Sequence, residues 1–164
     1  MSRLTNYYNL GQGETFDLLY IDFVEGFPNG QIKFMIPDTP RKVTGVQKVI
    51  QTFLYYLFTR KGTDLLDGNK GTYFSDFTMY SNRTGSSLAV HTQVDEAIKD
   101  AQAQTQAVLN ASETSPTSLL KSVEIVYLDT TSSSTDIYLK ITTEAGDAAS
   151  VSIPFPQTNL QTNA

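Results

Sequence analysis

The 164-residue chain has no cysteine and no tryptophan, and it has a single histidine. Without cysteine it can form no disulfide framework, no thiolate zinc site and no thiol nucleophile. One histidine is too few for a histidine-based metal cluster. We therefore expect neither a metal nor a cofactor.

Charge is also scarce. Lysine and arginine number 12, aspartate and glutamate number 17, and the net charge is −5. Charged residues form 18% of the chain, against about 25% in an average soluble domain. Because no dense basic cluster offsets the acidic balance, we expect no nucleic-acid partner. No apolar run approaches the ~18 residues of a membrane span, and we expect no secretory signal and no membrane partner.

Polarity comes instead from uncharged residues, with 21 threonines and 14 serines. The length fits one domain with a real core. We expect an N-terminal arm at 1–13, a single α+β domain at 14–156 and a flexible tail at 157–164. Two interpretations of the arm stay open: it is disordered, or Tyr7 and Tyr8 anchor it on a neighbouring subunit.

The N-terminal part of the domain has the pattern of a β-hairpin. Residues 15–24 are rich in β-branched and aromatic side chains, and residues 27–30 read Phe-Pro-Asn-Gly, a strong turn signal. Beyond the turn, Ile32, Phe34 and Ile36 alternate with Gln31, Lys33 and Met35, which predicts a half-buried strand.

A helix is expected next, because apolar residues recur at i, i+3, i+4 and i+7. Thr44 and Gln47 have the spacing of a capping box. Arg60 and Lys61 follow where the helix dipole favours cations, and Gly62 can adopt the left-handed cap. The apolar face consists of Val46, Val49, Ile50, Phe53, Leu54, Leu57 and Phe58.

A second helix is predicted from Thr92 to Asn110, with Thr92 and Asp95 as its capping signal. Its polar outer face is expected to carry three glutamines. Its buried stripe is expected to consist of Val94, Ala97, Ile98, Ala101, Thr105 and Val108, and its glutamines are Gln102, Gln104 and Gln106.

Three strands should follow, marked by the alternating sets 123–127, 137–141 and 149–155. A tight turn with Gly146 separates the last two. The whole pattern predicts an α+β fold in which a mainly antiparallel sheet, from the N-terminal hairpin and the C-terminal strands, packs with two principal helices. Between the helices, a glycine-rich loop carries Tyr73, Phe74 and Phe77, so it should pack on its own domain or on a partner.

No residue set points to catalysis. His91 is the one candidate imidazole base, and its neighbours fit helix capping as well as they fit a catalytic set. Asp17 and Asp22, or Asp64 and Asp67, could be named as an acid pair, but their spacing does not select them. Residues 64–69 lack the alternating ligands of a calcium loop. We therefore expect a protein that is not an enzyme.

Residues 45–63 read GVQKVIQTFLYYLFTRKGT, and this segment resembles the signature of the baseplate assembly protein W family. These are wedge and sheath-initiator proteins of contractile-tailed phages, and related subunits occur in contractile injection and secretion systems. In that family a hairpin leads into a helix that ends in a Thr-Arg-x-Gly turn and a glycine-containing loop, which residues 59–62 and 67–72 fit. The resemblance covers roughly residues 15–155 in order, with motif similarity at 45–77.

The resemblance implies a structural virion protein in the tail baseplate, assembled in the host bacterial cytoplasm in six copies or multiples. Its expected partners are other wedge proteins, the tail sheath and, as a further candidate, the tail tube. Such a subunit can accept a sheath strand at a sheet edge, for which we consider 135–143 and 148–155. The candidate interface residues are Tyr7, Tyr8, Arg60, Lys61, Tyr73, Phe74 and Phe77.

One stretch departs from the family. Members commonly carry Glu-Pro-Arg where the second helix gives way to the strand, and here the residues are Glu113-Thr114-Ser115-Pro116-Thr117. A sheath initiator and a divergent wedge component with different core partners both remain open. Two further alternatives are a small tail-associated lytic hydrolase that uses an acid pair, and a tail terminator or neck ring protein.

Overall fold

The computed structural model describes residues 17–18, 42–76, 87–130 and 134–156, and it has the expected α+β class. In chain order the elements are β1 (Asp17–Leu18), β2 (Lys42–Val43), α1 (Gly45–Phe58), α2 (Ser87–Ser112), a 3-10 helix (Pro116–Ser118), β3 (Leu120–Thr130), β4 (Ser134–Thr143) and β5 (Ala148–Pro156). The predicted arm, the tail and most of the predicted hairpin lie outside the described residues.

The three C-terminal strands form an antiparallel sheet in the order β3-β4-β5. The predicted alternation on β4 is confirmed, because Ile137, Leu139 and Ile141 are all buried. The predicted set on β3 is wrong at its end. A register shift between Ile125 and Tyr127 moves Tyr127 to the exposed face, as a β-bulge does.

The N-terminal pairing forms a separate sheet in the described part of the chain. Asp17 pairs with Val43 and Leu18 with Lys42, in antiparallel register. The sequence predicts that the N-terminal hairpin and the C-terminal strands share one sheet. In the described residues they belong to two separate sheets.

Helix α1 covers its predicted apolar face but is capped differently. Thr44 is the N-cap, yet its side chain makes no capping hydrogen bond, so the predicted capping box is wrong. The N–H of Gly45 donates instead to Ser118 Oγ at 3.2 Å. At the other end the helix stops at Phe58, so Gly62 takes its positive φ of 85° in the following turn rather than at the cap.

Helix α2 begins at Ser87, five residues before the predicted start, so Thr92 lies inside the helix and does not cap it. The buried stripe is as predicted through Thr105 and then continues to Leu109. Val108, which was expected to be buried, is exposed.

Both helices lie on one face of the three-stranded sheet, where α1 packs on α2, α2 on β3 and α1 on β4. The opposite face carries Tyr138 and Lys140 and is exposed. The largest core side chains come from both helices and from the sheet, and they include Phe53, Leu54, Leu57, Leu109, Ile137, Leu139, Ile141 and Ile153.

Candidate interaction site

A closed loop follows α1 and returns to it at Thr72. The N–H of Thr72 donates to the carbonyl of Thr59 at 2.8 Å, and the N–H of Lys61 donates to the carbonyl of Thr72 at 2.9 Å. The Thr72 hydroxyl donates to the carbonyl of Leu57 at 2.7 Å. These three hydrogen bonds fix the base of the loop on the end of α1.

Helix α2 holds the same loop through Gln104. The side-chain oxygen of Gln104 accepts the N–H of Gly71 at 2.8 Å, and its amide nitrogen donates to the Gly71 carbonyl at 2.9 Å. Gly71 has a φ of 89°, and a Cβ there would lie 2.2 Å from the carbonyl oxygen of Thr59. Only glycine fits this position, because both the backbone angle and the space exclude a side chain.

The far end of the loop is organised by Asp64. Its Oδ1 accepts the N–H of Leu66 at 2.9 Å, and Lys70 Nζ lies 2.9 Å from its Oδ2. The hydrogen bond from the Leu66 N–H, followed by that from Lys70, lowers the pKa of the Asp64 carboxyl. Lys70 also lies 5.0 Å from the ring centroid of Tyr55 on α1. This turn leaves Leu65 and Leu66 with exposures of 101% and 98%.

Three of the predicted interface residues lie together beside this loop. Arg60 Nε lies 2.9 Å from Asp76 Oδ1. Lys61 Nζ lies 3.7 Å from Asp100 of α2 and 5.8 Å from the ring centroid of Tyr73. Arg60 and Tyr73 are exposed, so these side chains form a surface that a partner can reach.

The other predicted interface residues do not share this surface in the described structure. Phe74 has no exposed area and packs edge-on against Phe58 at a ring-centroid distance of 5.6 Å. A contact between Phe74 and a partner does not fit this placement, because the aromatic ring fills the core of its own domain. Tyr7, Tyr8 and Phe77 lie outside the described residues.

Of the candidate acids, Asp64 and Asp67 are both used in hydrogen bonds within the loop, and Asp22 of the other pair lies outside the described residues. Asp64 is engaged by Leu66 and Lys70, and Asp67 Oδ1 accepts the N–H of Asn69 at 3.0 Å. His91 is exposed on α2. In the described ranges no group of three or more His, Cys, Asp or Glu side chains is arranged to hold a metal ion.

The glutamines of α2 do not form an outer face, which corrects the prediction. Gln102 and Gln106 are one helical turn apart and meet β3. Gln102 Oε1 accepts the Val123 N–H at 3.2 Å, and Gln106 Nε2 donates to the carbonyls of Leu120 and Lys121 at 3.2 and 3.1 Å. Gln104, two positions from each, faces the loop because two residues span about 200° of a helix.

The two edges of the three-stranded sheet therefore differ. The start of the β3 edge is bonded to α2, whereas no backbone hydrogen bond joins the outer edge of β5 to another described residue. The expectation that 135–143 offers an edge is wrong, because β4 is the central strand. The alternative, 148–155, corresponds to β5, which is an edge strand.

Prolines define which groups β5 presents outward. Pro154 and Pro156 pair in register with Asp136 and Ser134, and neither proline can donate a ladder hydrogen bond. Antiparallel pairs alternate between bonded and non-bonded types, so even-numbered residues occupy the non-bonded positions. Ser150 and Ser152 then direct their N–H and C=O groups to the open edge.

A buried ion pair joins α1 to the end of α2. Lys48 Nζ lies 2.5 Å from Glu113 Oε1, and both side chains are almost fully buried. Glu113 follows the last residue of α2, and its N–H donates to the carbonyl of Leu109 at 2.7 Å. The pair therefore fixes the start of the connection from α2 to β3.

The exposed leucines of the loop were not identified as interface residues from the sequence. From the sequence, residues 64–69 are a weak match to a calcium loop and a candidate source of an acid pair. The pattern that indicates exposed leucines is two leucines between two aspartates. An aspartate that caps the following backbone N–H groups forms a tight turn, and neither leucine in that turn can reach the core.

No protein-family model, curated protein or solved structure matches this chain. Within the described ranges, none of the helices has the length and apolar character needed to cross a bilayer.

Proposed function

We propose that this chain is a structural subunit of a contractile tail baseplate, a wedge protein or sheath initiator that accepts a strand from a partner at β5. The observation that carries the proposal is that no described residue bonds to the outer edge of β5, which presents the backbone groups of Ser150 and Ser152. An extended segment of a sheath or wedge protein would extend the sheet there by strand addition.

The prolines of β5 limit the part of this edge strand that can pair with a partner. A fully open edge strand is an aggregation hazard, and proteins limit such edges with proline and with short length. Pro154 and Pro156 have no backbone N–H. The outward N–H groups of β5 are therefore confined to the first half of the strand. This arrangement favours one short partner strand in a defined register.

The segment that resembles the baseplate family also has a coherent role in this fold. Helix α1 supplies core residues, and the Thr-Arg-Lys-Gly turn leads into the loop that Thr72 closes. Glu113, where family members have the glutamate of Glu-Pro-Arg, is buried against Lys48 of the same segment. These placements support the resemblance, while the missing contiguous motif favours a divergent wedge component with its own core partners.

The proposal places the protein in the virion, in six copies or multiples, after assembly in the host cytoplasm. The first experiment is cryo-electron microscopy of particles from a host that carries the gene, with this subunit labelled. We expect label at the baseplate with sixfold symmetry. Label at the neck or at the tail terminus would support a ring protein instead and would contradict the proposal.

The second experiment tests the strand edge with Ser152→Pro. Proline at this outward position removes one edge donor and leaves the ladder to β4 intact, so the variant should fold as the wild type does by circular dichroism. We expect particles with the variant to lack an assembled sheath. Ser152→Ala keeps the N–H and is the matched control, which should assemble normally. A normal sheath with Ser152→Pro would exclude strand addition at this edge.

A further inference from the structure

The first half of the β5 edge has none of the features by which proteins usually prevent pairing at an edge strand. Residues 148–152 read Ala-Ala-Ser-Val-Ser, with no charged residue and no proline. Exposed edges are normally limited by charged side chains, by proline or by a covering element. Because charge and proline are both absent from this stretch, the free subunit carries a segment that pairs readily with another strand.

The described helices lie away from this edge. Helix α2 packs on β3, at the far side of the sheet, and α1 packs on the central strand β4. Ser150 and the turn that precedes β5, residues 144–147, are exposed. The outer edge of β5 is therefore accessible to a second strand in the plane of the sheet, as far as the described residues show.

The prolines restrict how a second copy of β5 can pair with the first. In an antiparallel pair of two such edges, the even-numbered residues, whose N–H and C=O groups point outward, form the hydrogen-bonded positions. A proline at such a position has no N–H, and its ring lies where the opposite carbonyl would have to come. Pro154 and Pro156 must therefore fall outside the paired segment.

An antiparallel register with its twofold axis at Ser150 meets this condition. Ser150 then pairs with Ser150 of the second copy, and Ala148 pairs with Ser152. Each bonded pair exchanges two hydrogen bonds, so every outward N–H of residues 148–152 is satisfied. Pro154 lies opposite Gly146 of the second copy, which belongs to the exposed turn and to no strand.

Neighbouring registers are less favourable. An axis at Val151 would place Pro154 in a bonded position opposite Ala148. An axis at Ala149 would leave Ser152 opposite the turn and without a strand partner. The outward groups of β5 are therefore complementary to those of a second β5, and the match is best when the axis passes through Ser150.

The side chains that meet in this register are also compatible. Small uncharged residues face one another on the exposed side of the sheet, so no like charges lie directly opposite. On the helix side, Ala149 meets Val151 of the second copy. Val151 is buried, and Ala149 is half-buried where it packs against the core, so the pairing extends the covered apolar surface.

We infer that the free subunit covers its β5 edge by pairing with β5 of a second copy about a twofold axis at Ser150. The contact is isologous and closed, so both edges are covered and no further copy can add there. Such a dimer protects the edge before assembly, and a partner strand then replaces the second copy. That replacement rests on the proposed function, whereas the pairing of two copies does not.

The contact is small, because it involves residues 148–152 of each copy and no helix. Interfaces below about 1,200 Å² belong to weak and transient complexes. We therefore expect a dimer that dissociates on dilution. A partner strand can then compete for the edge, and dilute protein unfolds as a monomer.

Sedimentation velocity of the purified chain over a range of concentrations is the primary test. We expect wild-type protein to pass from monomer to dimer and to form no larger species. Ser150→Pro should weaken dimerisation by roughly tenfold or more, because the hydrogen bonds at the axis are lost. Circular dichroism should show the wild-type fold, since the Ser150 N–H points away from β4. Ser150→Ala keeps this N–H and is the matched control, which should dimerise as the wild type does.

Charge at position 150 tests the axis itself. Ser150→Asp and Ser150→Lys each place two like charges directly opposite one another in the dimer, which should weaken it while the backbone N–H stays in place. An equimolar mixture of the two variants pairs opposite charges and should form a heterodimer. Within each copy, Lys140 lies across from residue 150 and Glu124 across from Lys140, and these charges are the same in every variant.

Three outcomes would overturn the inference. Wild-type protein that stays monomeric up to about millimolar concentration, the weak limit of specific association, forms no such dimer. Dimerisation of Ser150→Pro with the wild-type constant would place the contact elsewhere. A charge mixture that forms no heterodimer would exclude an axis at Ser150.

Failure of this inference can be told apart from failure of the proposed function. A monomeric wild-type protein, together with particles of Ser152→Pro that lack a sheath, overturns the dimer alone. A dimer that the charge mixture restores supports the inference even if particles of Ser152→Pro assemble a normal sheath, a result that contradicts only the proposed function.

Discussion

At the scale of single residues, Gly71 has the most sharply defined requirement in the described structure. Gly71 and Gly62 both have positive φ, 89° and 85°, but only at Gly71 would a Cβ meet backbone, 2.2 Å from the Thr59 carbonyl oxygen. We expect Gly71→Ala to lower the free energy of unfolding by about 3 kcal/mol, because left-handed strain adds to a clash that the closed loop cannot relieve.

Gly62→Ala is the matched control for this prediction. It carries the same kind of backbone strain, about 1 kcal/mol, with no atom within 4 Å of the new Cβ. Urea denaturation followed by circular dichroism measures both variants. Equal losses would mean that the base of the loop adjusts easily and relieves the clash with the Thr59 carbonyl.

At the scale of elements, hydrophobic period was sufficient to locate the helices and the C-terminal strands. Helices α1 and α2 and strand β4 bury most of the residues that their periods selected, with Val108 the exception on α2, because one face of each element recurs regularly in the sequence. The ends of the elements were not predictable in the same way. The Gly45 N–H at the start of α1 is satisfied by Ser118, 73 residues away, and no local capping pattern reveals such a partner.

Contacts between elements could not be predicted from local sequence patterns either. The β-bulge that exposes Val126 and Tyr127 depends on the register with β4, so alternation alone placed Tyr127 on the wrong face. The loop aromatics could pack on their own domain or on a partner, and the position of Phe74 against Phe58 depends on the loop closing at Thr72. Candidate surfaces could therefore be located only after the tertiary contacts were known.

At the scale of elements, a prediction concerns the stability that Gln102 and Gln106 contribute by joining α2 to β3. We expect the double variant Gln102→Ala/Gln106→Ala to lose about 3 kcal/mol of stability, because it removes three hydrogen bonds to β3 and each contributes roughly 1 kcal/mol. It should also aggregate faster, since the backbone groups of Leu120 and Val123 become an open edge. Thermal unfolding and light scattering measure the two effects.

Gln47→Ala is the control for the glutamine variants. It makes the same chemical change on α1 at an exposed position and gains the same helix propensity. A stability close to that of the wild type is expected for this control. If the double variant behaved like the control in both measurements, the bonds from α2 to the β3 edge would contribute nothing to stability or to protection of the edge.

At the scale of the whole molecule, the proposed strand edge lies apart from the contact between α2 and the start of β3. Ser152 lies on β5, at the opposite edge of the three-stranded sheet from β3. Substitutions at separate sites with no shared partner have additive effects. The β5 edge and the α2–β3 contact should therefore be separable by mutation.

The expected result is a different outcome for the two variants in two measurements. Ser152→Pro should keep the free energy of unfolding of the wild type in urea, while its particles lack a sheath. The double variant Gln102→Ala/Gln106→Ala should lose stability, yet each subunit that enters a baseplate should still accept a strand at β5, visible as strand density in a map of the particle. If Ser152→Pro lowered the free energy of unfolding as much as the double glutamine variant does, the loss of the sheath would follow from instability and would not support strand addition at β5.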